Sequence, residues 1–473
     1  MTNETASLAA LTARVKADLA MIGHPEPDWV PPRHLPDGTR ALDVLIVGGG
    51  QSGIATGFQL LRERAPNFLI IDKAPAQREG PWMTYARMRT LRSPKNFTGP
   101  DLGVPSLTYQ AWHEAKYGAD HWRALALIPK EDWADYLHWV RETLALPVRN
   151  EATLTAINPR ADGMLDCVVN GQTIVARKLV LATGQDGCGE WWMPDFVRKL
   201  PERFRAHTAD EIDFERLRGK RVAVLGAGAS AMDNAATAAE AGARVDLFCR
   251  RSEIQRVQPF RWLTFNGFLR HLSDLEDAWR WRFMRHILGL REGFPPDTYH
   301  RCMALPNFSL HTGAGWEGAR VVGDQVEIIT AQGVHRADFL ICGTGIRCNF
   351  SKRPELAPYA DQIALWSDRY QPPADERDDR LAEFPYLAAD YALQPKTPDG
   401  PDFLRHIHVF NIGSSVSFGA SGSSINAMNI AVPKLVAGVT RALFSEDAAA
   451  HWAALQAYDV KMFELIDRRD AAD

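Results

Sequence analysis

Gly48, Gly50 and Gly53 stand at G-x-G-x-x-G spacing in the run Gly48-Gly49-Gly50-Gln51-Ser52-Gly53, and Gly226-Ala227-Gly228-Ala229-Ser230-Ala231 repeats the pattern with alanine third. The chemistry that this spacing serves is pyrophosphate binding. A phosphate has to reach backbone N–H groups at a helix N-terminus, where partial positive charge lies, and a Cβ there holds it away. The three positions make a tight turn, admit the phosphate and pack helix on strand, and alanine is an accepted third residue. Glycine-rich turns are common, so the spacing gains weight only between a strand and a helix.

The residues downstream of each motif bear on the choice of dinucleotide. Asp72, beside Lys73, comes about twenty residues after the first motif at the end of a second apolar run, where a carboxylate accepts hydrogen bonds from a ribose. The matching run after the second motif ends in Cys249-Arg250-Arg251 instead. Guanidinium groups there suit a 2'-phosphate by bidentate pairing, so NADPH is expected over NADH, with either arginine as the contact.

The elements that must hold these turns are legible as a repeated programme. Leu42–Val47 reads as a buried parallel strand, a helical pattern runs from the first motif to Arg64, and Phe68–Ile71 closes a βαβ unit. Short strands are expected at Leu154–Ile157, Leu165–Val169 and Thr173–Ala176, the last two joined by Asn170-Gly171, then a buried strand Leu179–Leu181 leading to Ala182-Thr183-Gly184. Arg221–Leu225, the second motif, Val245–Phe248, strands near Val321 and at Val326–Ile329, and Phe339–Ile341 before Cys342-Gly343-Thr344-Gly345 repeat the order. Gly48 to Gly184 spans 136 residues and Gly226 to Gly345 spans 119, so two dinucleotide folds are the economical reading.

Composition agrees with a two- or three-domain globular protein of 473 residues: 46% hydrophobic, 24% charged and a net charge of −4 give no reason to expect disorder or nucleic-acid binding. The 14 Trp and 21 Phe suit core packing first and the walls of a planar cofactor second. Six scattered cysteines form no C-x-x-C pair, which argues against a disulfide framework, a zinc site and a flavin reductase that passes electrons to a dithiol. His406 and His408 alternate as strand residues but lack a third ligand, so no metal is expected. The run from Met1 has neither the basic start nor the apolar centre of a signal peptide, and no uninterrupted apolar run approaches a membrane span; a cytoplasmic protein without a membrane partner is expected.

From about residue 41 onward the chain resembles the class B flavoprotein monooxygenases, which include flavin-containing monooxygenases, amine N-hydroxylases and Baeyer-Villiger monooxygenases. The likeness rests on both motifs in this order, Gly80-Pro81-Trp82, Ala182-Thr183-Gly184, His207-Thr208, and Asp338 leading into Gly343-Thr344-Gly345. It implies FAD on the first motif and reduction of that FAD by NADPH. It also implies oxygen addition at flavin C4a and a hydroperoxyflavin that transfers one oxygen atom. Two departures stand out. The stretch before His207 has Arg203 and Pro201 where the Baeyer-Villiger fingerprint has glycine and phenylalanine. Arg92 precedes Ser93-Pro94-Lys95 where many flavin-containing monooxygenases carry an asparagine at the flavin edge. The resemblance implies that Arg92 faces the reacting region, stabilising a peroxyflavin anion or an acidic substrate; the competing reading is a loop arginine. Lys95 and Asn96 are candidates to line the flavin. Gly413 and the run Gly419 to Ser424 are candidates to bring backbone close to its ring.

The expected protein is therefore α/β, with an NADPH-binding Rossmann-like domain inserted into an FAD-binding one. The division is 1–40, N-terminal helix and connector; 41–200, FAD domain; 201–345, NADPH domain carrying a helical, aromatic insertion at 253–316 that covers the cleft; and 346–473, the return to the FAD domain, with a surface excursion at 366–402. The expected activity is NADPH-consuming oxygenation of a small amine or sulfur substrate by O2. Baeyer-Villiger oxidation, an NADPH:acceptor reductase and a non-catalytic flavin sensor are the alternatives, and a homo-oligomer is left open.

Overall fold

The first sheet is built around β1 (Leu42–Val47), whose apolar run is buried through its middle because both faces are covered. The computed structural model describes residues 3–290, 293–419 and 424–465. With β2 (Phe68–Ile71), β3 (Val148–Arg149), β4 (Leu154–Pro159), β5 (Leu165–Val169) and β6 (Gln172–Leu181), β1 forms a sheet ordered β3-β2-β1-β6-β5-β4. The first four are parallel, and β6-β5-β4 is an antiparallel meander. The two runs expected at Thr173–Ala176 and Leu179–Leu181 are one strand. Arg177 and Lys178 between them are buried and keep extended backbone, because Asp447 and Glu446 receive their charges.

β7 (Gly189–Trp191) leaves this sheet, and β8 (Arg205–His207), β9 (Arg221–Leu225), β10 (Arg244–Phe248) and β11 (Phe308–His311) belong to a second. A separate antiparallel sheet holds β12 (Trp316–Val322), β13 (Gln325–Thr330) and β14 (Gly333–Ala337), the last not anticipated. Asp338 separates β14 from β15 (Phe339–Cys342), and the second sheet is parallel throughout in the order β11-β10-β9-β15-β8. β16 (Ile346–Cys348) then pairs antiparallel with β7, and β17 (Ile407–Val409) returns to pair with the end of β6. The order β3-β2-β1-β6-β17 thus matches β11-β10-β9-β15-β8, and β7 with β16 are the two strands connecting the sheets.

Three further expectations change. The insertion ends before residue 316: helix Pro296–Met303 places Cys302 in the same core as Ala235 and Val245, and β11 joins the second sheet. Residues 366–402 are no surface excursion, since Trp366, Leu381, Leu387 and Leu393 are buried. Trp366 packs on Trp281 of the insertion, 6.0 Å between ring centroids, and the Trp281 Nε1–H donates to the Glu376 carbonyl at 2.8 Å. The stretch Ile425–Glu446 is long and apolar enough to cross a membrane even though Pro433 and Lys434 interrupt it. Within the fold, 61% of its apolar window is buried.

Candidate functional site

The first glycine turn is closed by protein at two positions and open at one. Gly48 has φ +111°, and a Cβ there would lie 2.3 Å from the Ala182 carbonyl oxygen; a Cβ on Gly53 would lie 1.8 Å from the Gly48 carbonyl oxygen. At Gly50 the nearest protein atom to a Cβ is Gly80 Cα at 3.7 Å, an ordinary contact. Gly50 also caps helix Gln51–Arg62, with no side chain satisfying the first N–H groups. Beside it the Trp82 indole Nε1–H is buried without an acceptor among the described residues, and a small cavity runs between Gly49, Gly50, Gln77, Glu79, Trp82 and Arg141. Helix N–H groups without a side-chain cap, an indole donor without an acceptor and a glycine that protein approaches no closer than ordinary contact fit a dinucleotide phosphate.

Around the turn, both carboxylate oxygens of Asp72 accept backbone N–H groups, Oδ2 from Gly49 and Oδ1 from Ala74, each at 2.7 Å. The turn is therefore tied to Asp72 directly. Burial raises the Asp72 pKa, with those two bonds opposing it. Glu79, which the sequence reading missed, lines the cavity and accepts from Arg141 at 2.8 Å and Asn150 at 2.6 Å. Gln51 Oε1 accepts from Trp133 Nε1 at 3.3 Å, Ser52 O accepts from Thr56 Oγ1, and Lys73 reaches Asp186 at 3.5 Å. Asn411, fully buried and also missed, gathers three expected residues. Its Nδ2 donates to Thr183 Oγ1 at 3.0 Å, beside Gly184, and its Oδ1 accepts the Gly413 N–H at 2.8 Å. Residues 420–423 of the expected Gly419 to Ser424 run lie outside the described residues.

The second turn has the same plan. Gly226 has φ +114° and a Cβ there would lie 2.4 Å from the Gly343 carbonyl oxygen, whereas at Gly228 a Cβ meets nothing within 4 Å. Ala229 starts the following helix, and Ser230 in its first turn is exposed. Ala231 carries a methyl that is accommodated because its neighbour is Gly343, whose own Cβ would fall 2.5 Å from it. Thr344 donates its hydroxyl to the Trp192 carbonyl, and Gly345 O accepts the Trp192 N–H at 2.9 Å. The two arginines part company here. Arg251 spends its guanidinium on the carbonyls of Gly289 (2.7 Å) and Leu290 (3.1 Å) at the end of an insertion helix. Arg250 is exposed, passes over Gly315, and has no side-chain hydrogen bond or ion pair among the described residues.

Between the turns, Arg92 is no loop-surface arginine: it lies 3.6 Å from Asp233 on helix Ala229–Glu240, and that carboxylate is buried and also receives Thr298 Oγ1 at 3.2 Å. Lys95 donates to the carbonyls of Trp122 (2.6 Å) and Leu125 (2.7 Å), capping helix Ala119–Ala124 and leaving one of its three donors. Asn96 is exposed. Arg87 is half-buried with its pKa lowered by burial; it donates to the Thr84 and Asp210 carbonyls and has no carboxylate within ion-pair distance among the described residues. His406 ends a short 3-10 turn rather than lying in a strand, and its Nδ1 is 2.6 Å from Lys178 Nζ; His408 Nδ1 meets the Asp390 carbonyl at 2.9 Å. No cluster of metal-ligating side chains is found among the described residues.

Residues 45–265 match the family model of pyridine nucleotide-disulphide oxidoreductases. The chain is 42% identical over 461 residues to an FAD-dependent urate hydroxylase of Xanthomonas campestris pv. campestris, covering 97% of each. Among solved structures, it superposes on an ornithine N-hydroxylase of Kutzneria sp. 744 with TM-score 0.65 at 18% identity, over 85% of this chain and 99% of that one. It superposes on the reduced ornithine hydroxylase of Pseudomonas aeruginosa with TM-score 0.66 at 17% identity, over 85% and 100%. At such identities the structural matches speak for the fold.

Proposed function

The chain belongs to the FAD-dependent class B flavoprotein monooxygenases, and we propose that it is an NADPH-consuming monooxygenase whose oxygen acceptor is a small, electron-rich, anionic molecule of the urate class. FAD sits on the Gly48–Gly53 turn with Asp72, Trp82, Thr183, Gly184 and Gly413 around it. NADPH sits on the Gly226–Ala231 turn with Thr344 and Gly345 opposite and Arg250 at its 2'-phosphate. In this reading residues 41–200 and 346–473 hold FAD and 201–345 hold NADPH. When bound, the flavin would supply hydride acceptance and dioxygen activation.

The chain's own residues bind, orient and exclude water. The open positions at Gly50 and Gly228 let both pyrophosphates reach helix N-termini. The insertion covers the Gly413–Gly419 segment, with Phe268 and Leu272 at 3.2 Å from a Cβ built on Gly419. Arg87 is a half-buried cation at the crossing between the two folds, with Glu211 acting on it from a distance and no carboxylate within ion-pair distance among the described residues, which suits an anionic substrate better than a cationic amine. The observation that carries the substrate class is the 42% identity across 97% of both chains. The amine or sulfur acceptor expected from the sequence shares the demand for an electron-rich nucleophile and stands second.

The test is product analysis under air with NADPH and, in parallel, urate, ornithine, a dialkyl sulfide and a cyclic ketone. Urate gaining one oxygen atom supports the proposal. Hydroxylamine or sulfoxide without urate turnover moves the acceptor to the amine or sulfur class, and lactone alone makes the enzyme a Baeyer-Villiger catalyst. NADPH loss that persists without O2 identifies a reductase, and no NADPH loss at all a sensor.

A further inference from the structure

The two strands that join the nucleotide folds carry a feature the spacing of cysteines concealed. Cys188, just before β7, and Cys348, the last residue of β16, lie 160 positions apart in the chain with their sulfurs 2.6 Å apart. Both are buried, Cys188 completely. The backbones hold this approach from both sides: Cys348 is in register with Gly189, and the Cys188 carbonyl accepts the Asn349 N–H at 2.8 Å. A Cβ on Gly189 would lie 2.0 Å from the Arg347 carbonyl oxygen, so only glycine lets the strands meet this closely. The other four cysteines are buried and, among the described residues, none has a second thiol in contact with it.

We propose that Cys188 and Cys348 form a dithiol site that hydrogen peroxide closes to a disulfide, clamping the strand pair through which the NADPH fold joins the FAD fold. One sulfur attacks a peroxide oxygen as thiolate, breaking the O–O bond to give a sulfenic acid and water. The second thiol then displaces the sulfenic oxygen as water while the S–S bond forms. Two thiols lose two electrons and two protons, and one peroxide becomes two waters. The closed loop contains the whole second sheet, so the bond constrains every movement of that fold on β7 and β16. Burial pushes the Cys348 thiol well up, so thiolate is scarce and closure is slow beside oxidation of an exposed reactive cysteine.

Purified flavin-loaded protein, treated with hydrogen peroxide or with dithiothreitol, is denatured without reductant, its free thiols are counted, and its peptides are mapped by mass. Peroxide should lower the count from six to four and yield one cross-linked pair, Cys188 with Cys348, lighter by two hydrogens. The cross-link should vanish on dithiothreitol treatment and in C188S and C348S, each checked for native circular dichroism. C188A and C348A replace either variant that misfolds. Six free thiols after peroxide, or sulfinic acid at either position without a cross-link, overturns the site. The oxidised protein should also be reduced by NADPH several-fold more slowly, recovering with dithiothreitol. An unchanged rate with the cross-link present overturns the clamp. Thiol count and mass do not depend on the proposed cofactors or substrate, so failure of this site and failure of the functional reading are told apart.

Discussion

The two glycine turns solve one problem with different tolerances. In both, the first glycine is sealed by a carbonyl of the facing strand end, Ala182 at 2.3 Å and Gly343 at 2.4 Å from a Cβ, whereas a Cβ on the middle glycine meets only an ordinary contact at Gly50 and nothing within 4 Å at Gly228. They differ at the third position. Gly53 is jammed against its own turn at 1.8 Å, whereas Ala231 keeps its methyl and passes the demand for smallness across to Gly343. Sealed positions therefore serve the fold, and the less crowded ones are where the proposed ligands would enter. The motif's three glycines are three separate requirements.

The sharpest way to break this comparison is at the third position. Gly53→Ala should cost more than about 4 kcal/mol, enough to leave little soluble protein, because the methyl meets backbone that cannot yield. Ala231→Gly should cost only about 1 kcal/mol of helix propensity. Thermal melts decide it, and equal losses would remove the distinction. The middle position comes next. Gly50→Val should give folded protein with almost no bound flavin, and Gly228→Val yellow protein with kcat/KM for NADPH down about 100-fold or more. Full flavin occupancy in Gly50→Val would show that the first turn does not hold it.

The sequence made the turns legible because a pyrophosphate site needs particular residue types at fixed spacing. Strands β1, β2, β9 and β10 were equally legible because doubly covered strands are apolar runs. What was not legible depends on partners distant in the chain. Arg177 and Lys178 look like a break in a strand until Glu446 and Asp447 arrive; Asn411 looks like a loop residue until Thr183 and Gly413 meet it. Lys95 resembled a flavin-lining residue through its Ser-Pro-Lys neighbourhood, and only the fold shows its ammonium at Trp122 and Leu125.

The basic pair after β10 sharpens the contrast with Asp72 after β2. Arg250 makes no side-chain hydrogen bond or ion pair among the described residues, so Arg250→Ala should raise KM for NADPH by about one order of magnitude or more and leave NADH kinetics nearly unchanged, as loss of a charged hydrogen bond would. Arg251→Ala loosens two helix-end carbonyls instead and should weaken both cofactors alike through the insertion helix. A selective NADPH effect in Arg251→Ala and none in Arg250→Ala would exchange their roles.

The smallest expected effect lies in the fifth strand of each sheet, where β8 carries His207 and β17 carries His408, both buried and both pushed down to about 4 by that burial. In the unfolded chain each takes a proton near the ordinary value of about 6.5. Above about 6.5 both states are neutral and stability does not depend on these groups. As pH falls below it, the unfolded chain binds protons that the folded one refuses, so stability declines until about 4, where the folded histidines titrate as well. Each histidine should contribute about 1.4 kcal/mol of lost stability per pH unit within that window. Denaturant titrations at pH 5.0 to 6.5 should therefore show a steeper decline in the parent protein than in His207→Phe or His408→Phe, by one proton each. Equal steps for the two variants would extend the parallel between the sheets to their edge strands. A step in only one would mean that the other histidine is reached by water, and the parallel would end at the turns.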